Sequence, residues 1–281
     1  MTATATIVNS ISIPPRPEIL GELSREVELP HPDTDRIAAC LKRDVALYGT
    51  VLRIVNSAAF NTGGKVISIE RAIMLLGLRR ILRVAQVSLL QTHLGRHAPI
   101  PRFWDTAAEV AYITASLARH YTGVSGDDAY TVGLLHDFGM PLMMQAFPDF
   151  RSLLAQVNQD PSRCLASEAS DRYGFNHYDV GRELGKLWGL PELLNQAIYL
   201  QPQLEAVFSE RVAVERIEDI KSLLALLDVA RHISKTYRRF WRAADEWPDD
   251  AVSAFSLEHL GLTPHDVIDL QEHYLERLAQ Q

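Results

Sequence analysis

Cysteine is scarce in this chain. Only Cys40 and Cys164 occur among 281 residues, and they lack the paired spacing of a disulfide or metal-binding framework. Both are expected to be buried, reduced thiols. Positive charge is not in excess either. Lys and Arg total 28 against 35 Asp and Glu, a net charge of −7, so no global basic field draws the molecule to nucleic acid or anionic lipid. No apolar run reaches the roughly eighteen residues that a spanning helix needs. The opening "MTATATIVNSISIPPRPEIL" lacks the basic and continuous apolar regions of a signal peptide. No pair of alternating strands joined by a hairpin signal occurs, nor any repeat or low-complexity segment. These absences lead us to expect a cytoplasmic protein with no membrane partner and no nucleic-acid partner.

What the chain does contain is helical periodicity. At 47% hydrophobic and 22% charged, it can bury a real core. In "DTDRIAACLKRDVALYGTVLRIVNSAAF", Ile37, Leu41, Val45, Val51, Leu52 and Val55 fall on helical faces, with Asp33 or Thr34 as N-cap. "SIERAIMLLG" predicts a short helix capped by Ser68, with Ile69, Ile73 and Leu76 inward and Gly77 closing it. Leu78, Ile81, Leu82, Ala85 and Leu89 continue at helical spacing. Pro99 and Pro101 in "RHAPIPRF" interrupt any helix there. The expected architecture is all-α, with an N-terminal helical subdomain over 1–97 packed on a second helical domain over 98–281.

Few of the ten histidines carry a chemical signal. His31, His259, His265 and His273 sit among charged or turn residues and are expected at the solvated surface. His93 and His97 are one turn apart, but Gly95 and Pro99 point to a helix end there, not a zinc site. His136 and Asp137 in "GLLHDFGM" are more suggestive. An imidazole and a carboxylate suit a hard divalent ion that activates water for attack on phosphorus. Adjacent residues on a helix point about 100° apart, so both would reach one ion only in a concave site. The alternative is a polar pair at a helix end.

In "FNHYDVGRELGKLWGLP", Asn176 is a plausible N-cap, Val180, Leu184, Leu187 and Trp188 form a stripe, and Gly189-Leu190-Pro191 ends the helix. His177 then lies in the first turn, where the helix dipole disfavours its protonated form. It is either a neutral ligand or a solvent-exposed residue. Asp228 is a lone carboxylate in the apolar run "LLALLDVARHI" and needs a partner, which Arg231 or a metal could supply. Arginine clusters stand at Arg79, Arg80 and Arg83 and at Arg238, Arg239 and Arg242, the latter beside Tyr237, Phe240 and Trp241. Such groups can grip a nucleotide, or simply occupy a solvated helix face.

In this order and spacing, "IPPRPEIL", "NSAAF", "SIERAIMLLG", "GLLHDFGM" and "HYDVGRELGKLWGLP" resemble the HDOD family, the HD-related output domains of bacterial signalling proteins, over roughly residues 13 to 230. The resemblance implies an HD-phosphohydrolase-like helical domain. It also implies metal ligands at His136, Asp137 and Asp228, with His177 as a possible fourth. Active relatives have a histidine on an early helix, here falling near Thr106, and a later histidine pair, here falling near Tyr199 to Pro202. This chain has none at either place. Met140 stands where a lysine often follows the signature glycine.

The remaining ligands imply a vestigial or weak site. No cofactor is expected beyond a weakly held magnesium, manganese or iron ion, and no residue is assigned a catalytic role. The expectation is a non-catalytic signalling module acting through protein–protein contacts, its partners in trans, in signalling linked to cyclic di-GMP. Two alternatives remain: a metal-dependent phosphohydrolase of nucleotides or cyclic dinucleotides, and a regulator that binds a nucleotide, cyclic di-GMP among them, through Arg79, Arg80 and Arg83 or through the 238–242 cluster.

Overall fold

The computed structural model describes residues 10–56, 64–97, 101–160, 162–234 and 252–279, and among them there is helix but no strand. Residues 57–60 of "NSAAF", Pro99 and the cluster at 237–242 lie outside the described residues. The chain divides into two compact units. One is Pro14–Arg96, and the other joins His97–Gln281 to the chain's start as far as Ile13.

The Pro14–Arg96 unit contains α1 (Glu18–Val27), α2 (Thr34–Lys42), α3 (Val45–Val55), α4 (Ile69–Leu76) and all but the last residue of α5 (Leu78–His97). Each of the three middle helices starts at a side-chain cap. The carboxylate of Asp33 accepts from the Asp35 and Arg36 amides, Asp44 from Leu47, and the Ser68 hydroxyl from Arg71. Leu20, Leu23, Ile37, Leu41, Val51, Ile69 and Ile81 are fully or almost fully buried. Asn56, the first residue of "NSAAF", acts as a clamp. Its Nδ2 donates to the Val66 carbonyl at 2.7 Å, and its Oδ1 accepts from the Val66 amide at 2.7 Å. Val45 departs from expectation: it is the first residue of α3 and is 82% exposed.

The larger unit is assembled on α6 (Pro101–Tyr121), α7 (Gly126–Leu135) and α14 (Ile217–Ile233). Between α7 and α14 run α8 (Met140–Ala146), α9 (Phe150–Val157), α10 (Leu165–Tyr173), α11 (His177–Trp188), α12 (Glu192–Tyr199), a 3-10 turn at Gln201–Gln203 and α13 (Leu204–Phe208). Among the described residues, α15 (Ala254–Leu260) and α16 (Pro264–Ala279) follow α14. The core joins Val110, Ile113 and Leu117 of α6 to Val132 of α7 and to Leu223, Leu226, Leu227, Ala230 and Ile233 of α14. Three- and four-residue steps along each helix create this shared stripe.

Gly133 allows α6 and α7 to meet closely. A Cβ at this position would lie 2.6 Å from the Ala111 Cα and 2.9 Å from the Thr114 hydroxyl oxygen. Trp188 is buried as its helical stripe predicts, but Leu187 is 49% exposed, so the stripe is narrower than expected. Cys40 is buried, whereas Cys164, just before α10, is exposed. No helix among the described residues is long and apolar enough to cross a membrane.

Adding one methyl at the α6–α7 crossing should lower stability by about 1–3 kcal/mol in Gly133→Ala. Gly123→Ala, which meets nothing within 4 Å, should change it by less than about 0.5 kcal/mol. Urea unfolding of the two variants checks this contrast.

Candidate functional site

His136 and Asp137 sit in a tight turn, not on a helix wall. α7 ends at Leu135, His136 caps it, the Phe138 amide donates to the Leu135 carbonyl, and the Met140 amide donates to the Asp137 carbonyl. Gly139 brings this turn against α11. A Cβ there would fall 2.0 Å from the His177 carbonyl oxygen and 2.8 Å from the Gly181 amide nitrogen, so no other residue permits the approach without backbone movement. Opposite it, a Cβ on Gly181 would meet the Phe138 ring at 3.0 Å.

The start of α11 is equally well determined. The Asn176 side chain accepts from the Tyr178 and Asp179 amides, and the Asp179 carboxylate accepts from the Asn176 amide at 2.9 Å, closing a capping box. His177 is thereby held inward at 4% exposure. The solvent-exposed alternative for this residue does not hold.

Asp137 is the centre of the site, itself only 4% exposed. Its Oδ2 lies 3.2 Å from His136 Nε2, and its Oδ1 lies 3.7 Å from His177 Nε2 and 3.5 Å from Arg231 Nη2. His136 is oriented through Nδ1, which is 2.6 Å from the Gly133 carbonyl oxygen. Gln201 ties the arrangement together. Its Nε2 donates to the His136 carbonyl at 2.8 Å and to the Ile198 carbonyl at 2.7 Å, while its Oε1 accepts from Arg231.

Burial alone would push the Asp137 carboxyl up, but His136, Arg231 and His177 together hold it well below the usual carboxylate range. For His177, burial dominates and draws the imidazole down to about 4, against the pull of the Asp137 charge. Burial likewise raises the Tyr178 phenol, although Arg231 opposes the shift.

Asp228 faces elsewhere. Its Oδ2 accepts the Ser253 amide at 3.0 Å, just before α15. Arg231, one of the partners the sequence offered for Asp228, reaches Asp137 and Gln201. Thr106, where an early histidine would fall, is buried on α6. Among the described residues no three His, Cys, Asp or Glu side chains are grouped so that they could hold a metal. The residues present therefore do not fit a resident divalent ion. An added ion beside Asp137 would sit close to the Arg231 guanidinium, and two like unit charges about 4 Å apart repel by about 4 kcal/mol at an effective dielectric of 20.

The other expected positions are dispersed. Arg79 and Arg80 are exposed and Arg83 half-buried, all near the start of α5 in the Pro14–Arg96 unit. His31, His265 and His273 are exposed as expected. His259 is not: it is half-buried, 2.9 Å from the Ser222 hydroxyl, and burial lowers its pKa. Sequence reasoning missed Gln201 and the true partner of Arg231. The only signal available for Gln201 was its place in "IYLQPQ", where the family resemblance implies a histidine pair in active members.

Fold and site together define an all-α protein with a histidine–aspartate turn whose carboxylate is neutralised from within. The HDOD domain profile matches residues 13–204, and the chain belongs to the HDOD family. It is 30% identical over 202 residues to an uncharacterized protein of Treponema pallidum, covering 67% of this chain and 37% of that one. The chain thus spans little more than a third of this curated relative. Among solved structures, a candidate phosphohydrolase from Shewanella amazonensis superposes with a TM-score of 0.68 at 22% identity, covering 97% of this chain and 94% of that one. A candidate signal transduction protein from Marinobacter aquaeolei gives 0.66 at 20% identity, covering 98% of this chain and 62% of that one.

The neutral, buried His177 sets a pH dependence. Between pH 6.5, its ordinary value, and about 4, the unfolded chain binds more protons here than the folded one, so stability falls as pH drops through that window. The loss should approach about 3 kcal/mol at the acid end. His177→Gln should flatten the slope of unfolding free energy between pH 6.5 and 4 relative to the parent. An unchanged slope would remove the assignment.

Proposed function

We propose that this chain is a non-catalytic signalling module that acts through contacts with other proteins. The observation that carries this reading is the failure of the ligand set to close. Asp228 holds the Ser253 amide, while Asp137 is enclosed by two imidazoles and a guanidinium. Loss of a ligand should weaken a metal site more than the 10–100-fold typical of outer-shell changes.

Membership of the HDOD family and the likeness to a candidate signal transduction protein support a signalling role. The Pro14–Arg96 unit also exposes large apolar side chains, Val45, Ile67, Met74 and Leu75, of the kind that protein partners cover. Its partners act in trans, and the second messenger we connect with it is cyclic di-GMP. That link rests on the family resemblance.

The rival is a metal-dependent phosphohydrolase, favoured by the convergence of His136, Asp137 and His177 and by the likeness to a candidate phosphohydrolase. Hydrolysis of cyclic di-GMP and of bis(p-nitrophenyl) phosphate, with magnesium, manganese or ferrous iron added, separates the two. We expect no turnover above that of Asp137→Ala. Turnover in the parent that Asp137→Ala abolishes would establish the enzyme instead. Calorimetry with cyclic di-GMP tests the nucleotide link, and a flat titration at high concentration would end it.

A further inference from the structure

A helix that is apolar on every side is normally buried on every side. The helix α4 is not. It turns Ile69, Ala72 and Ile73 into the core of the Pro14–Arg96 unit, yet Met74 and Leu75 on its other face are 79% and 56% exposed. Ile67, just before the Ser68 cap, is 71% exposed. We propose that this outer face of α4, together with the first turn of α5, is a docking surface for an acidic amphipathic helix of another protein. The proposal rests on the signalling reading above and gives the partner a chemistry.

Charge decides what covers the face. Arg71 is exposed and shares the outer side of α4 with Met74 and Leu75, which follow it at helical spacing. Arg79 and Arg80, also exposed, come next at the start of α5. There they stand at the positive end of the helix dipole, which disfavours cations, and the first turn holds no acidic residue to offset them. No Asp or Glu occurs between Glu70 and Asp105, and Glu70 is engaged by Lys42. The surface is thus basic within a chain of net charge −7. A second copy docking α4 against α4 would oppose like charges. A wide anionic bilayer would be repelled by the acidic molecule as a whole, whereas a short helix meets the patch alone. Apolar residues at i, i+3, i+4 and i+7 of that helix would cover Ile67, Met74 and Leu75, with flanking carboxylates facing the arginines.

Anisotropy titrations of the full chain with two labelled helical peptides of equal length test this. Both carry leucine at those four positions, and the remaining positions are mainly glutamate in one and lysine in the other. The glutamate peptide should bind at least roughly tenfold more tightly than the lysine peptide. Met74→Ser with Leu75→Ser should weaken it at least roughly tenfold without moving the urea midpoint. Ile268→Ser, an exposed apolar position in the other unit, should change nothing. Arg79→Glu with Arg80→Glu should reverse the preference between the peptides, and this variant supplies the test if the serine pair unfolds. Equal affinity for the two peptides, binding of neither, or binding that survives the serine pair overturns the proposal. So does binding to phosphatidylglycerol vesicles with none to the glutamate peptide. Turnover in the hydrolysis assay with the peptide pattern intact would end the signalling reading and leave the surface standing. Loss of the pattern without turnover ends the surface alone.

Discussion

A carboxylate held almost entirely out of water organises the larger of the two units. Asp137 draws one group from each of several elements: His136 from the end of α7, His177 from the first turn of α11, and Arg231 from α14. The 3-10 turn after α12 contributes Gln201, which links the arginine to the turn's backbone. Without these groups the charge would be too costly to bury and the turn would have to open. The arrangement reads as a polar core that specifies how four segments meet. It is also why the site looks like a metal centre although, among the described residues, no three metal-ligating side chains are grouped to hold an ion.

Close backbone approach makes that core possible. Gly139 lets the turn lie on the His177 carbonyl, and Gly133 lets α7 lie on α6 one helical turn earlier. The two glycines bracket the His–Asp pair and set its position on both sides. The capping box at Asn176 then aims His177 inward, where burial keeps the imidazole neutral. Local sequence choices and tertiary demands agree here, as expected of a segment with one native arrangement. Asp228 shows the converse. A lone acid in an apolar helix needed a partner, and it found a backbone amide at the start of α15.

Much of the fold was legible beforehand because helices announce themselves locally. Ser68, Asp33 and Asn176 cap the helices as the side-chain chemistry of those residues predicts. The stripes of α2, α5 and α11 follow a 3.6-residue period, and the breaks at Pro101, Gly189 and Pro191 obey backbone sterics. Errors fell where burial depends on distant segments. Val45 and Leu187 are apolar yet exposed, Cys164 is exposed, and His259 is half-buried against Ser222. No local pattern reports whether a neighbouring helix covers a given side chain.

The sequence by itself determined the class of structure, the family and the residue types of the site, since caps, periodicity and the "GLLHDFGM" motif are properties of short segments. Only the tertiary structure decided which charges meet. Arg231 lies three residues from Asp228 but nearly a hundred from Asp137, and it is the distant carboxylate that it reaches. That choice depends on how α14 packs beside the turn and on Gln201 arriving from a third element. Side-chain pairing across helices is set by geometry at the scale of the whole unit, which no spacing along the chain encodes.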